Sequence, residues 1–176
     1  MGLVDPCTDW SVRALVNHVT RGNINYVGLL RGSTAAEFLR LRNVDALGTD
    51  PMAAFTQSAH ECAEAFAEPG ALHKVLDYPL GRVTARQLLA VRTTDTVVHT
   101  WDLARAVRVD DVLDHELVCW INQEISTIYA GLAETPVDDA STHRFFAAAP
   151  KPPTDGATEQ DRLLVRMGRR PGWPTS

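Results

Sequence analysis

The stretch from Thr84 to Val107, TARQLLAVRTTDTVVHTWDLARAV, constrains the fold of this chain more than any other. Leu88, Val91, Asp95, His99, Asp102, Leu103 and Ala106 fall on one face of a helical wheel, because residues three and four apart stack along a helix. Thr84 with Gln87 supplies a capping box at the start. The stripe is apolar at its ends and ionisable at its centre, where Asp95 and His99 stand one turn apart. An unpartnered buried carboxylate is strongly unfavourable, so something of complementary chemistry has to face this pair.

Other segments carry the same period. Val12, Leu15, Val16, Val19, Tyr26, Val27 and Leu30 predict a helix over about 12–30, with Ser11 as its N-cap. Asp50-Pro51 opens another, since aspartate caps and proline suits the first helical position. Met52, Phe55, Ala59, Cys62 and Phe66 form its stripe, and Pro69-Gly70 ends it. A fourth begins at Asp114, with Leu113 and Val118 as a hydrophobic staple. There Leu117, Ile121, Ile125, Ile128 and Leu132 are expected to face inward. Pro136 to about Thr158 reads as a Pro/Ala-rich connection. A short last helix runs from Glu159 to Met167, capped by Thr158. LDYPLGRV, residues 76–83, is the one candidate for extended chain. The class is therefore all-α, most simply an antiparallel bundle forming a single domain over residues 1–176.

Composition removes several functions. The net charge of -5 and the lack of a basic stripe argue against nucleic acid. No apolar run is long enough to span a membrane, and the first ten residues lack the pattern of a secretory signal. Cys7, Cys62 and Cys119 are odd in number and widely spaced, as in a protein of the reducing cytoplasm.

His18 lies at the edge of the first stripe, where a bundle can bring it against Asp95 and His99. Two imidazoles and one carboxylate suit a divalent metal and leave an open coordination position. The donor types fit zinc and equally nickel or non-haem iron. A helical D-x-x-x-H pair is also what an ordinary ion pair looks like. Asp102, one turn beyond His99, is placed to orient that imidazole or to pair with Arg13 or Arg105. Glu124 projects onto its helix's apolar face, as a fourth ligand, a general base or a rim residue. His60 and Glu61 adjoin Cys62 but point in different directions. Trp10 and Trp101 read as packing anchors.

PCTDWSVRALVNHV (6–19), DPMAAFTQSAHECAEAFAEPGAL (50–72), TTDTVVHTWDLARAV (93–107) and EQDRLLVRMGRRPGW (159–173) together resemble an actinobacterial family. It comprises the DinB-like proteins and the metal-binding domain of mycothiol-dependent maleylpyruvate isomerase. The resemblance implies a four-helix bundle with one divalent metal, usually zinc. It carries the ligands onto His18, Asp95 and His99, with aspartate where the isomerase has glutamate. Relatives usually have a further helix before the PCxxW segment, and the isomerase has a separate C-terminal domain; here five residues precede Pro6 and the DRLLVRMG helix stands at the end. Surface left uncovered in that way is expected to form a homodimer interface near Leu15–Leu30 or Leu117–Leu132, unless the last helix folds back over it.

The leading functional expectation is a metal-dependent enzyme that uses a small thiol, mycothiol, against a small electrophile in a transfer or isomerisation. Metal-activated water and hydrolysis, with Glu124 as base, is a second reading. A non-enzymatic or degenerate metal-binding bundle is a third.

Overall fold

The computed structural model describes residues 10–132 and 156–171, with the backbone alone at 136–138 and 141–142. Helix dominates these residues, in six α-helices, and two small antiparallel strand pairs accompany them. The all-α expectation holds in the main and is corrected by those pairs. The chain divides into two units, Arg13–Thr93 and Met1–Val12 with Thr94–Ser176.

In the first unit, α1 (Val12–Leu30) has the bounds its periodicity predicts and buries Leu15, Val19, Tyr26, Val27, Leu29 and Leu30. Lys74 Nζ donates to the Leu30 carbonyl at 2.9 Å, satisfying one of the orphan acceptors at the helix end. A six-residue helix that the periodicity did not reveal, α2 (Ala35–Arg40), follows a capping box of Thr34 and Glu37. Next comes α3 (Pro51–Ala67), where Asp50 caps the Ala53 N–H at 3.1 Å. Cys62, Ala65 and Phe66 are buried, but Met52 is 74% exposed. Its place in the first turn, ahead of the packed part of the helix, explains the departure from the expected stripe.

The LDYPLGRV stretch is a hairpin of β1 (Val75–Tyr78) and β2 (Gly81–Thr84), with Leu76 opposite Val83 and both buried. Gly81, at φ 138°, takes a left-handed backbone that other residues avoid. Tyr26, Phe38, Phe66 and Tyr78 make an aromatic cluster with centroids 5.5–6.5 Å apart. That spacing is the range in which tilted and edge-on rings attract.

The unit boundary falls within α4 (Ala85–Val107), between Thr93 and Thr94. The Thr84 hydroxyl accepts from the Gln87 N–H at 3.2 Å, so the predicted start of this helix is observed. Within the second unit, α4 buries Val97, Val98, Trp101, Ala104 and Ala106. The α5 helix (His115–Ile128), capped by Asp114, buries Val118, Ile121 and Ile128. Leu117, expected inward, is 41% exposed, and Ile125 is only half-buried. Only part of that apolar face finds cover, because the inward turn is set by Val118 and Ile121.

The last helix, α6 (Glu159–Arg166), begins at a Thr158–Asp161 capping box and buries Leu163 and Leu164. It is fastened to α5 by Asn122, whose Nδ2 donates to the Glu159 carbonyl and carboxylate, both at 2.9 Å. Inside the predicted connection, β3 (Pro136–Asp138) pairs with β4 (Ser141–Thr142). No described helix is long and apolar enough to cross a membrane.

Candidate metal centre

Asp95, His99 and Asp102 occur at i, i+4 and i+7 of α4, so one helix face presents all three. His99 is 7% exposed and Asp102 fully buried. The imidazole lies between the two carboxylates. Its Nδ1 is 2.9 Å from Asp102 Oδ2 and its Nε2 is 3.3 Å from Asp95 Oδ1. A buried ionised carboxylate only accepts, so Nδ1 carries the proton and donates to Asp102. Nε2 is then the ring nitrogen with a lone pair to offer whenever the imidazole is neutral. Trp10 stacks on the same ring, with centroids 6.1 Å apart and planes 23° apart.

Asp102 has a second partner, one that the sequence reading did not identify. Arg169 Nε donates to Asp102 Oδ1 at 3.1 Å and Nη2 to Oδ2 at 2.5 Å. The expected alternatives are engaged elsewhere: Arg13 pairs with Asp45, and Arg105 with Asp111 while it lies over the Trp101 ring. Arg169 follows α6 and carries no periodic signal, so only the fold reveals its partner.

The charges follow this geometry. Burial pushes the His99 pKa down, but the hydrogen bonds to Asp102 and Asp95, with the attraction of both carboxylates, outweigh it and lift the pKa to about 9. For Asp102, burial acts upward, and the bonds and charges of His99 and Arg169 bring the carboxyl below its ordinary value. His99 is therefore a cation held between two anions at neutral pH, with Arg169 balancing the inner one.

His18 stands on α1, half-buried, in the other unit. Glu124 is exposed on α5, in keeping with a rim position. His60 is exposed on α3, and Glu61 accepts from Gln57 at 2.9 Å. Cys62 is buried, and burial raises its thiol pKa, with a smaller opposing effect from Arg92. It is a core residue, as expected of free cysteine. Cys7 lies outside the described residues. A second buried cation also escaped the sequence reading. Arg92 donates to Asn23 Oδ1 at 2.7 and 3.1 Å and to the Val19 carbonyl at 2.8 Å. Its only sequence-level trace is an arginine next to an apolar stripe position.

Two Mycobacterium tuberculosis proteins, uncharacterized protein MT0763 of strain CDC 1551 / Oshkosh and uncharacterized protein Rv0738 of strain H37Rv, resemble the chain. Each is 35% identical over 118 residues, 66% of this chain and 60% of the relative. The chain thus matches less than two thirds of the length of these relatives. No solved structure matches it. The family model described as the mycothiol maleylpyruvate isomerase N-terminal domain matches residues 4–104. That match takes in α1 to α3 and α4 as far as Ala104 and, with them, His18, Asp95, His99 and Asp102; the chain belongs to this family.

Proposed function

We propose that the chain, on the four-helix DinB-like scaffold its family implies, holds one divalent metal ion through His18, Asp95 and His99. In this reading it uses the ion with a small thiol of the mycothiol type against a small electrophile. The observation that carries the reading is the flanking of one buried imidazole by two carboxylates, Asp102 at Nδ1 and Asp95 at Nε2. Two anions around one neutral ring leave surplus negative charge, which either a proton or a metal cation offsets. The carboxylate on Nδ1 fixes the ring so that Nε2 is the nitrogen left for an ion, as a carboxylate behind a ligating histidine does. Two imidazoles and one carboxylate, as His18, His99 and Asp95 offer, are donor types that suit such an ion. Zinc is the first candidate by donor type, and nickel and iron accept the same set.

The chemistry that a bound divalent ion supplies is Lewis acidity, under which a coordinated thiol is a thiolate at neutral pH. The chain's own residues prepare for it. Asp102 holds the His99 ring in one orientation, Arg169 holds Asp102, and Trp10 covers a face of the imidazole. No internal nucleophile is required. The exposed position of Glu124 gives no support to the hydrolytic alternative, which needs a base beside the ion. Metal analysis of protein purified without added metal tests the first half of the reading, with one equivalent expected. Cobalt-loaded protein tests the second: adding mycothiol should give a thiolate-to-cobalt absorption band. No stoichiometric metal uptake, or an unchanged cobalt spectrum, refutes the corresponding half.

A further inference from the structure

We propose that Arg169 is a positioning residue for the metal site, delivered by a part of the chain that lies beyond the family-matched residues 4–104. The proposal rests on the assignment of His99 as a ligand. Its own evidence is a chain of contacts within one unit.

The α6 helix ends in a turn in which Met167 N–H donates to the Leu163 carbonyl and Arg169 N–H to the Leu164 carbonyl at 2.8 Å. Gly168 provides the left-handed residue of that turn, at φ 78°. The turn aims Arg169 inward, where its side chain is 4% exposed. Two of its nitrogens bind the two oxygens of Asp102, and Nη1 donates to the Met167 carbonyl at 2.7 Å. The guanidinium is thus held by its own segment at one end and grips a carboxylate at the other. A two-pronged arginine–carboxylate pair sets the plane of the carboxylate as well as its position.

Asp102 then presents Oδ2 to His99 Nδ1 in a fixed direction. Without Arg169 the carboxylate loses the two-pronged grip that sets its plane, and the direction in which it meets the imidazole is less well defined. Arg169 in turn depends on α6 remaining docked. Besides Asn122, that docking uses Gln160, which accepts from the Leu113 N–H at 2.8 Å and donates to the Asp111 carbonyl at 3.1 Å. The path from α5 through α6, Arg169 and Asp102 to His99 makes the terminal helix part of the site rather than an appendage.

The test compares the full-length wild type with Arg169→Lys and Arg169→Met. Zinc affinity is read by competition with a chromophoric chelator, and the exchange-protected His99 Nδ1–H proton is read by NMR in the metal-free protein. Arg169→Met should lose about 10-fold in zinc affinity, the low end of the effect of removing the group that itself orients a ligating histidine, and should lose the protected resonance. Arg169→Lys keeps the charge without the fork, so it should fold and fall between the two; it decides the matter if the methionine variant does not fold. A merely structural tether would lower the melting temperature and leave both readouts unchanged in folded protein. Folded variants with wild-type zinc affinity and an unshifted resonance would overturn the role of Arg169 and leave the ligand assignment standing. A wild type that binds no zinc would overturn the ligand assignment, and this proposal with it.

Discussion

Raising the pH should destabilise the metal-free protein in a defined window. His99 has a pKa near 9 in the folded chain against 6.5 for the ordinary side chain. A group whose folded pKa is raised contributes stability that is complete below the unfolded value. That contribution fades as pH rises through the folded value. The gap from 6.5 to about 9, at about 1.36 kcal/mol per pH unit, amounts to about 3 kcal/mol. This is a sizeable part of the total stability of an ordinary domain. Burial makes solvent screening of the interaction small, since the residue is 7% exposed. Urea unfolding with a chelator present, at pH steps from 6 to 9.5, measures the loss. His99→Gln is the control and should be flat across the window. Cys62, whose thiol is raised by burial from 9.0, adds its own loss only above pH 9. The same proton competes with metal, so apparent zinc affinity should be about 100-fold weaker at pH 7 than the limit reached above pH 9. Stability that stays level or rises between pH 6.5 and 9 in the wild type would refute the account of His99 as a cation between two anions.

His99→Ala should abolish stoichiometric metal binding while far-UV circular dichroism stays close to wild type, because alanine is the better helix former; full metal content in the variant would remove His99 from the ligand set. Gly22→Ala should lower the melting temperature even though alanine favours a helix by about 1 kcal/mol. Its Cβ would lie 2.8 Å from Arg92 Nη1, and the displaced guanidinium would strain bonds to Asn23 and Val19 worth about 1.5–3 kcal/mol each; a higher melting temperature would show that Arg92 moves freely. Thr158→Ala removes a reciprocal cap and should cost about 1 kcal/mol in thermal or urea unfolding, and no change would mean that α6 does not depend on its capping box.

Helix starts were the most legible features, because capping is local chemistry. Asp50-Pro51, Asp114 and Thr158 mark the observed beginnings of α3, α5 and α6. The grouping of Asp95 with His99, and Asp102 as its orienting acceptor, was legible for the same reason, since one helix fixes all three positions. Thr34-Ala35-Ala36-Glu37 carried the signature of α2 but was too short to show a period. Leu117 and Met52 sat at apolar positions and emerged exposed, because spacing defines a face without saying how far its neighbours extend over it. Arg169 was out of reach: it meets Asp102 across 67 positions of chain, and no local pattern encodes that pairing. The β3–β4 pair likewise lies in a stretch read as a mere connection.

The ring stacked on His99 gives the site an optical voice. Indole fluorescence is quenched by a protonated imidazole in contact with it, through electron transfer from the excited state. Trp10 lies 6.1 Å from His99, centroid to centroid. Its emission should therefore be dim while the histidine is charged and should brighten as the proton departs. Arg105 lies over the Trp101 ring, and Trp120 is partly exposed on α5; a Trp10→Phe variant gives the emission of the other indoles to subtract. A change in the ionic state of one buried side chain can thus be followed by intrinsic emission in unlabelled protein, on the timescale of a stopped-flow mixing experiment.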